Sequence, residues 1–270
     1  MKDILLDLRG YKHYRCFIKR MNQTAKDWGM AKTHYRNPSG ATWNSRMSPR
    51  DLSILGEHAI ENALILQAWQ QEVETIEVQG PSQRIVKIVN TVLESGKPTM
   101  GDYLIGGKSG SWGTKNKSHL FFCRTKQGDL ILSIFAKDET SFEHIYDIGN
   151  ELCRFAEGED TGIHINHLIK CGGGYCIVFV GQASIYDAFN ADEEYIPASV
   201  TKVMTALVAL MYHDDLNSDV IVRSIDITSG SGSHFTAGDR VRLIDAISIM
   251  LLESSNTMAN AIARTIGGEI

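Results

Sequence analysis

Three short groups of residues have types and spacings that could do chemistry. Ser199 and Lys202 stand three apart at the head of an apolar segment, residues 203–210, so on a helix they share a face. Pro197 sits where helices begin, since it lacks the N–H that a first turn leaves unpaired. A first-turn hydroxyl lies among free backbone N–H groups at the positive end of the helix dipole. Those donors could hold an oxyanion while a neighbouring amine takes the serine's proton, which is the equipment of serine acyl transfer. Taken alone, a first-turn serine followed by an exposed lysine is the favoured reading of the pair. Ser254 and Asn256 lie on a break between two helical stretches, where side chains can project into a cleft. Lys108-Ser109-Gly110-Ser111 ends a strand-like run in small residues, as needed where a substrate backbone approaches closely.

The elements that must position these groups can be read from periodicity. Phe17, Met21 and Ala25 at four-residue spacing predict a helix over residues 1–30, with Gly29 as its stop. Asn37-Pro38-Ser39-Gly40 is built from turn residues. Ser48 and Pro49 then open a helix whose apolar side is Leu52, Leu55, Ala59, Ile60, Ala63 and Leu64. From about residue 76 the pattern turns to strands, with 120–123 and 130–135 flanking the hairpin signal Lys126-Gln127-Gly128-Asp129. Helical period returns with Phe142, Ile145, Ile148, Leu152 and Phe155, capped by Thr140 or Ser141. Residues 157–174 show no period and read as a connector to two further strands, 175–180 and 183–189. From residue 197 the chain is helical, interrupted at 229–233 and 253–256.

Short hairpin-linked strands between helical blocks predict an α+β fold, an antiparallel sheet flanked by helices plus an all-helical lobe. Residues 1–75 and 196–270 would form the lobe, and residues 76–195 the sheet with its flanking helix.

The 270 residues, 43% hydrophobic and 22% charged, suit a globular protein with a sizeable core. A net charge of −5 and the lack of any Lys/Arg run argue against nucleic acid as a partner. No apolar run is long enough for a transmembrane segment, and the N-terminus does not read as a signal peptide. Five cysteines, an odd count, argue against a disulfide framework. Cys171 and Cys176 could pair or bind metal, although scattered thiols are the preferred reading. His164-x-x-His167 reads as a solvated pair, so neither a metal nor a cofactor is expected.

Ser-x-x-Lys, Ser-x-Asn and Lys-Ser/Thr-Gly together form the signature of serine β-lactamases and penicillin-binding proteins. The chain resembles the D-alanyl-D-alanine carboxypeptidases most. The likeness runs through residues 190–207, 230–233, 237–239 and 251–256, and through 21–30, 33–34, 37–40 and 48–52. It implies a β-lactamase/transpeptidase-like fold with Ser199 as nucleophile, Lys202 as its base, and Lys108 as the cation that depresses that base and holds the substrate carboxylate. Ser254 would relay the proton and Asn256 would orient the substrate amide. Ser109 would bind the carboxylate, and the backbone N–H groups of Ser199 and Ser111, beside Gly110, would make the oxyanion hole. Partners implied are peptides ending in D-Ala-D-Ala, with β-lactams as acylating inhibitors, at an extracytoplasmic place of action.

The order departs from the family, in which Lys-Thr-Gly follows the other motifs. Here Asn37-Pro38-Ser39-Gly40 and Lys108-Ser109-Gly110 come first. Joining residue 270 to residue 1 restores the order, so the resemblance implies a circularly permuted chain in which 157–174 bridges the family's usual termini. No counterpart of the β-lactamase Glu-x-x-Leu-Asn loop is found. A β-lactamase or serine esterase, and a penicillin-binding sensor without turnover, remain as alternatives.

Overall fold

The computed structural model describes residues 2–139, 141–160, 163–232 and 234–270. Thr140 and Ser233, each named in the sequence reading, lie outside the described residues, as does the side chain of His164. The chain opens with α1 (Lys2–Asp27), followed by α2 (Pro49–Glu61), α3 (Ala63–Gln70) and the hairpin β1 (Val73–Val78) and β2 (Arg84–Val89). Next come α4 (Thr91–Met100), β3 (Leu104–Trp112), β4 (Asn116–Thr125), β5 (Gly128–Ala136), α5 (Phe142–Ala156) and α6 (Ile163–Lys170). The rest is β6 (Gly174–Phe179), β7 (Ile185–Phe189), α7 (Thr201–Tyr212), β8 (Asp219–Ile221), β9 (Arg240–Arg242), α8 (Leu243–Leu252) and α9 (Asn256–Ile266).

Local chemistry accounts for most of the boundaries. At the end of α1, Met30 N–H donates to Ala25 O and Gly29 N–H to Lys26 O. This paired closure needs the left-handed φ of +76° that Gly29 adopts. Ser48 Oγ accepts from Asp51 N at 3.1 Å, and Pro49 occupies the first position of α2. The helix expected to run on through Ala63 and Leu64 instead stops at Glu61. Asn62 leaves helical geometry and caps α3 by accepting from Leu64 N and Ile65 N. Local capping chemistry outweighed the apolar period there, and Ala63 is exposed. Ser141 caps α5 by accepting from Glu143 N.

β3 to β7 form a five-stranded antiparallel sheet in sequential order. Both of its faces are covered, which is why β4 and β5 read as unbroken apolar runs rather than alternating ones. Leu120, Phe122, Ile131 and Phe135 face the core built by α1, α2, α7, α8 and α9. Phe121, Cys123, Leu130, Leu132 and Ile134 face a second core under α4, α5 and α6. The packing of α2 on the sheet is close: a Cβ on Gly56 would lie 2.8 Å from both Ile131 and Leu120.

Some elements were not legible in the sequence. α4 carries Gly96 and Pro98, residues that argue against a helix, yet Asn90 caps it by accepting from Val92 N and Leu93 N. α6 falls inside the stretch expected to be a plain connector, and buries Leu168. β8 and β9 are too short to show a period, and β9 joins β1–β2 to the helical core through the Gln79–Arg240 bridge. All five cysteines are free thiols.

Candidate active site

Ser199 sits in a single 3-10 turn, residues 198–200, that feeds directly into α7. Three neighbouring elements hold the turn in place. Ser118 on β4 donates to Pro197 O at 2.6 Å. β3 lies directly against the turn, because a Cβ built on Gly110 would stand 2.8 Å from Ser199 N and 3.1 Å from Pro197 O. From the other side, Gly40 is so close that a Cβ would overlap Ala198 O at 1.8 Å. Only glycine fits at position 40, where φ is also +75°. Ala198 itself takes φ +48° and Ser254 φ +66°, a region that costs a side chain about 1–3 kcal/mol and is kept only when the surroundings impose it.

The loop 37–40 is in turn fixed to the helices. Asn22 on α1 donates from Nδ2 to Tyr35 O and accepts from Tyr35 N, and Asp51 on α2 accepts from Lys32 N and Thr33 Oγ1. Asn37 Oδ1 accepts from Gly40 N within the loop. Thr205 and Lys202, both on α7, then reach up to Pro38 O and Ser39 O, each at 2.7 Å.

Lys202 is fully buried, and its amine has three neighbours: Ser39 O at 2.7 Å, Asn256 Oδ1 at 2.8 Å and Ser199 Oγ at 2.8 Å. The first two are acceptors only, and the second is oriented by Asn256 Nδ2 donating to Ser229 O. In its neutral form the amine would commit its two N–H bonds to Ser39 and Asn256 and turn its lone pair to Ser199 Oγ. Burial and the adjacent Lys108 cation push the Lys202 pKa well below that of an ordinary lysine. Lys108 is also fully buried, donates to Ser109 O at 2.9 Å, and is held down to about 7 by burial.

A cleft of about 210 Å³ opens above these groups. Ser199, Ser254 and the strand segment Ser109, Gly110 and Ser111 line it, with Thr91 and Ser95 from α4, Phe142 and Tyr146 from α5, Ser231 and Glu253. Of the residues singled out in the sequence, five therefore reach the cleft wall. Lys202 and Asn256 stand beneath Ser199, and Lys108, on β3, is fully buried and does not line the cleft.

Residues 13–132 match the family model for D-alanyl-D-alanine carboxypeptidase, and residues 161–269 match that of the β-lactamase enzyme family. Both models belong to the serine β-lactamase/transpeptidase-like superfamily, and the two matches together cover most of the chain. Both matched families are serine hydrolases, and no curated protein or solved structure matches the chain significantly.

Glu253 was not picked out in the sequence, although it directly precedes Ser254. Its Oε2 is buried without a hydrogen bond among the described residues, with His234 Nε2 at 3.4 Å outside hydrogen-bond geometry. Burial raises its carboxyl to about 7. Thr91, Ser95, Phe142 and Tyr146 were also missed, since the helices that present them border the cleft only through tertiary packing. Thr91 ties α4 to the end of α8 by donating to Leu252 O at 3.0 Å.

Proposed function

We propose that the protein is a serine acyl transferase of the D-Ala-D-Ala carboxypeptidase type, working through a Ser199 acyl-enzyme. The observation that supports this most is the amine of Lys202, 2.8 Å from Ser199 Oγ with its other contacts both acceptors. In this reading Lys202 takes the hydroxyl proton as Oγ attacks the penultimate D-alanine carbonyl. The backbone N–H groups of Ser199 and Ser111 receive the developing oxyanion. Collapse breaks the peptide C–N bond, and the departing amine takes its proton from Lys202 through Ser254. Water then attacks the acyl ester and frees the enzyme.

Ser109 on the cleft wall holds the terminal carboxylate of the substrate, the buried Lys108 next to it in sequence supplies positive charge, and Asn256 acts through the Lys202 amine that it orients. A carboxylate entering beside Lys108 favours the charged amine that burial alone disfavours. The same site takes β-lactams as acylating inhibitors, because their strained amide presents the same carbonyl and carboxylate. No described helix is long and apolar enough to cross a membrane. Stem peptides of peptidoglycan would be met outside the cytoplasm.

A second reading, fast release of the acyl group as in a β-lactamase, is favoured by one observation. Glu253 places a carboxyl of pKa about 7 on the cleft wall beside Ser254, where it would serve as the base for the deacylating water. A fluorescent penicillin separates the two. Stable labelling of wild type but not of Ser199→Ala, with D-alanine released from a diacylated D-Ala-D-Ala peptide, is the carboxypeptidase result. Rapid label loss with cephalosporin hydrolysis is the β-lactamase result, and no labelling at all overturns the acyl-enzyme.

We also propose that the chain order is circularly permuted. Support comes from β3, which carries the Lys-Ser-Gly motif early in the chain yet packs against the Ser199 turn. A gene placing residues 163–270 before residues 1–157, joined by a flexible linker, should fold and be labelled by penicillin at Ser199. A chain that expresses only as an unfolded species would count against it.

A further inference from the structure

A second cluster of reactive side chains lies away from Ser199, where the end of β5, the start of α5 and α6 meet. Glu139 follows β5, and its side chain is only 4% exposed. Its Oε1 accepts from Ser141 N at 2.7 Å. Its Oε2 is approached by two imidazoles, His144 Nδ1 at 3.1 Å and His167 Nε2 at 3.0 Å. Cys171 directly follows α6 and its N–H donates to His167 O at 3.0 Å, which brings the two side chains together. The Cys171 Sγ is 3.4 Å from the same His167 Nε2. The donor atoms of Glu139, His167 and Cys171 all lie within 4.8 Å of one another.

These separations have a chemical meaning. A tetrahedral Zn²⁺ with bonds of about 2.0–2.1 Å to nitrogen or oxygen and about 2.3 Å to sulfur holds its ligands roughly 3.3–3.6 Å apart. The His167–Cys171 edge is 3.4 Å, while the Glu139 contacts to His167 and His144, at 3.0 and 3.1 Å, need only open by a few tenths of an ångström to admit the ion. A hydrogen-bond account is less complete, because the single proton on His167 Nε2 cannot serve both Glu139 Oε2 and Cys171 Sγ. A cation among them would take one lone pair from each of Glu139, His167 and Cys171. Sulfur, imidazole and one carboxylate form a borderline-soft set that suits zinc and not magnesium or calcium. The Ser141 N–H that fixes Glu139 Oε1 is the kind of outer hydrogen bond that orients a carboxylate ligand.

We propose that Glu139, His167 and Cys171 bind one Zn²⁺ ion as a structural clip, with the fourth position open to water or to His144, which lies beside Glu139 Oε2. The clip pins α6, the helix between α5 and β6, to the β5–α5 corner. Phe142, two residues before His144, lines the catalytic cleft, so the ion also steadies one wall of that cleft. It takes no part in the acyl-transfer chemistry.

The test is metal binding by the full chain after dialysis against a chelator, with cobalt(II) chloride and zinc chloride as probes. One equivalent of Co²⁺ should give intense visible bands of a tetrahedral site and a thiolate-to-cobalt band in the near ultraviolet, both bleached by zinc. Cys171→Ser should remove the near-ultraviolet band, and Glu139→Gln or His167→Ala should weaken zinc at least tenfold. Cys16→Ser should leave both signals unchanged. Penicillin labelling of Ser199 should persist in these variants, so failure of the clip and failure of the acyl-enzyme are distinguishable. The proposal is overturned if the wild-type chain binds no stoichiometric zinc, or if its cobalt spectrum is octahedral or lacks the thiolate band.

Discussion

Replacing Lys202 by methionine keeps the apolar stem of the side chain but removes the amine lone pair. The change leaves Ser199 Oγ with no base at 2.8 Å, and positioned general bases contribute factors of about 10²–10⁴. Acylation by a fluorescent penicillin should therefore slow by roughly that factor, about 3–5 kcal/mol of barrier. Stability should respond differently. Ser39 O and Asn256 Oδ1 each lose a donor, at about 1–3 kcal/mol apiece. Opposing this, the wild-type lysine has a folded pKa well below the 10.5 of an unfolded one, because of burial and Lys108. The unfolded chain therefore binds the extra proton between those two values, and wild-type stability rises with pH across that window by up to about 1.4 kcal/mol per pH unit for this group. Lys202→Met would remove that share of the slope, so urea denaturation at several pH values reads it directly. A folded variant that acylates within tenfold of wild type would refute the base assignment, and an unchanged pH slope would refute the buried, deprotonated amine.

Gly110→Ala puts a methyl 2.8 Å from Ser199 N and 2.5 Å from Ser118 Oγ. It should cost about 1–3 kcal/mol of stability and slow acylation up to about a hundredfold through displacement of the turn, measured by thermal melts and labelling rates. Lys108→Met removes an amine held at about 7 against 10.5 when unfolded. The variant should lose the rise in stability that wild type gains between pH 7 and 10.5, being more stable by roughly 3 kcal/mol at pH 8 as an upper figure, while its KM for peptides with a free terminal carboxylate increases. Glu253 is raised to about 7, so if it serves the deacylating water, release of the acyl group should climb with pH around 7. Glu253→Gln should flatten that profile and lengthen the lifetime of the label without changing its rate of formation; an unaltered lifetime excludes the role.

Much of this protein can be read from local rules. The Ser199–Lys202 spacing, the Ser48-Pro49 start of α2, the Gly29 stop of α1 and the 126–129 hairpin each depend on contacts within a few residues. The same holds for the apolar runs of β4 and β5, whose composition implies a sheet covered on both faces. The helices α4 and α6 were not legible, because Pro98, Gly96 and a polar surround contradict helix by propensity, and packing on the second core overrides it.

By itself, the sequence determined which side chains are available and which neighbours share a face: a hydroxyl and an amine one turn apart, a lysine ahead of small strand residues, an asparagine after a helix break. Only the tertiary structure decided that these groups meet. The amine of Lys202 points at Ser199 because Ser39 O, from a loop 163 residues away in sequence, and Asn256 Oδ1, 54 residues away, claim its other hydrogens. Its depressed pKa arises from burial and from Lys108, and no local pattern encodes either. Glu253 follows the same rule: an ordinary carboxyl in sequence becomes a near-neutral titrating group only because folding removes water from one of its oxygens without supplying a donor.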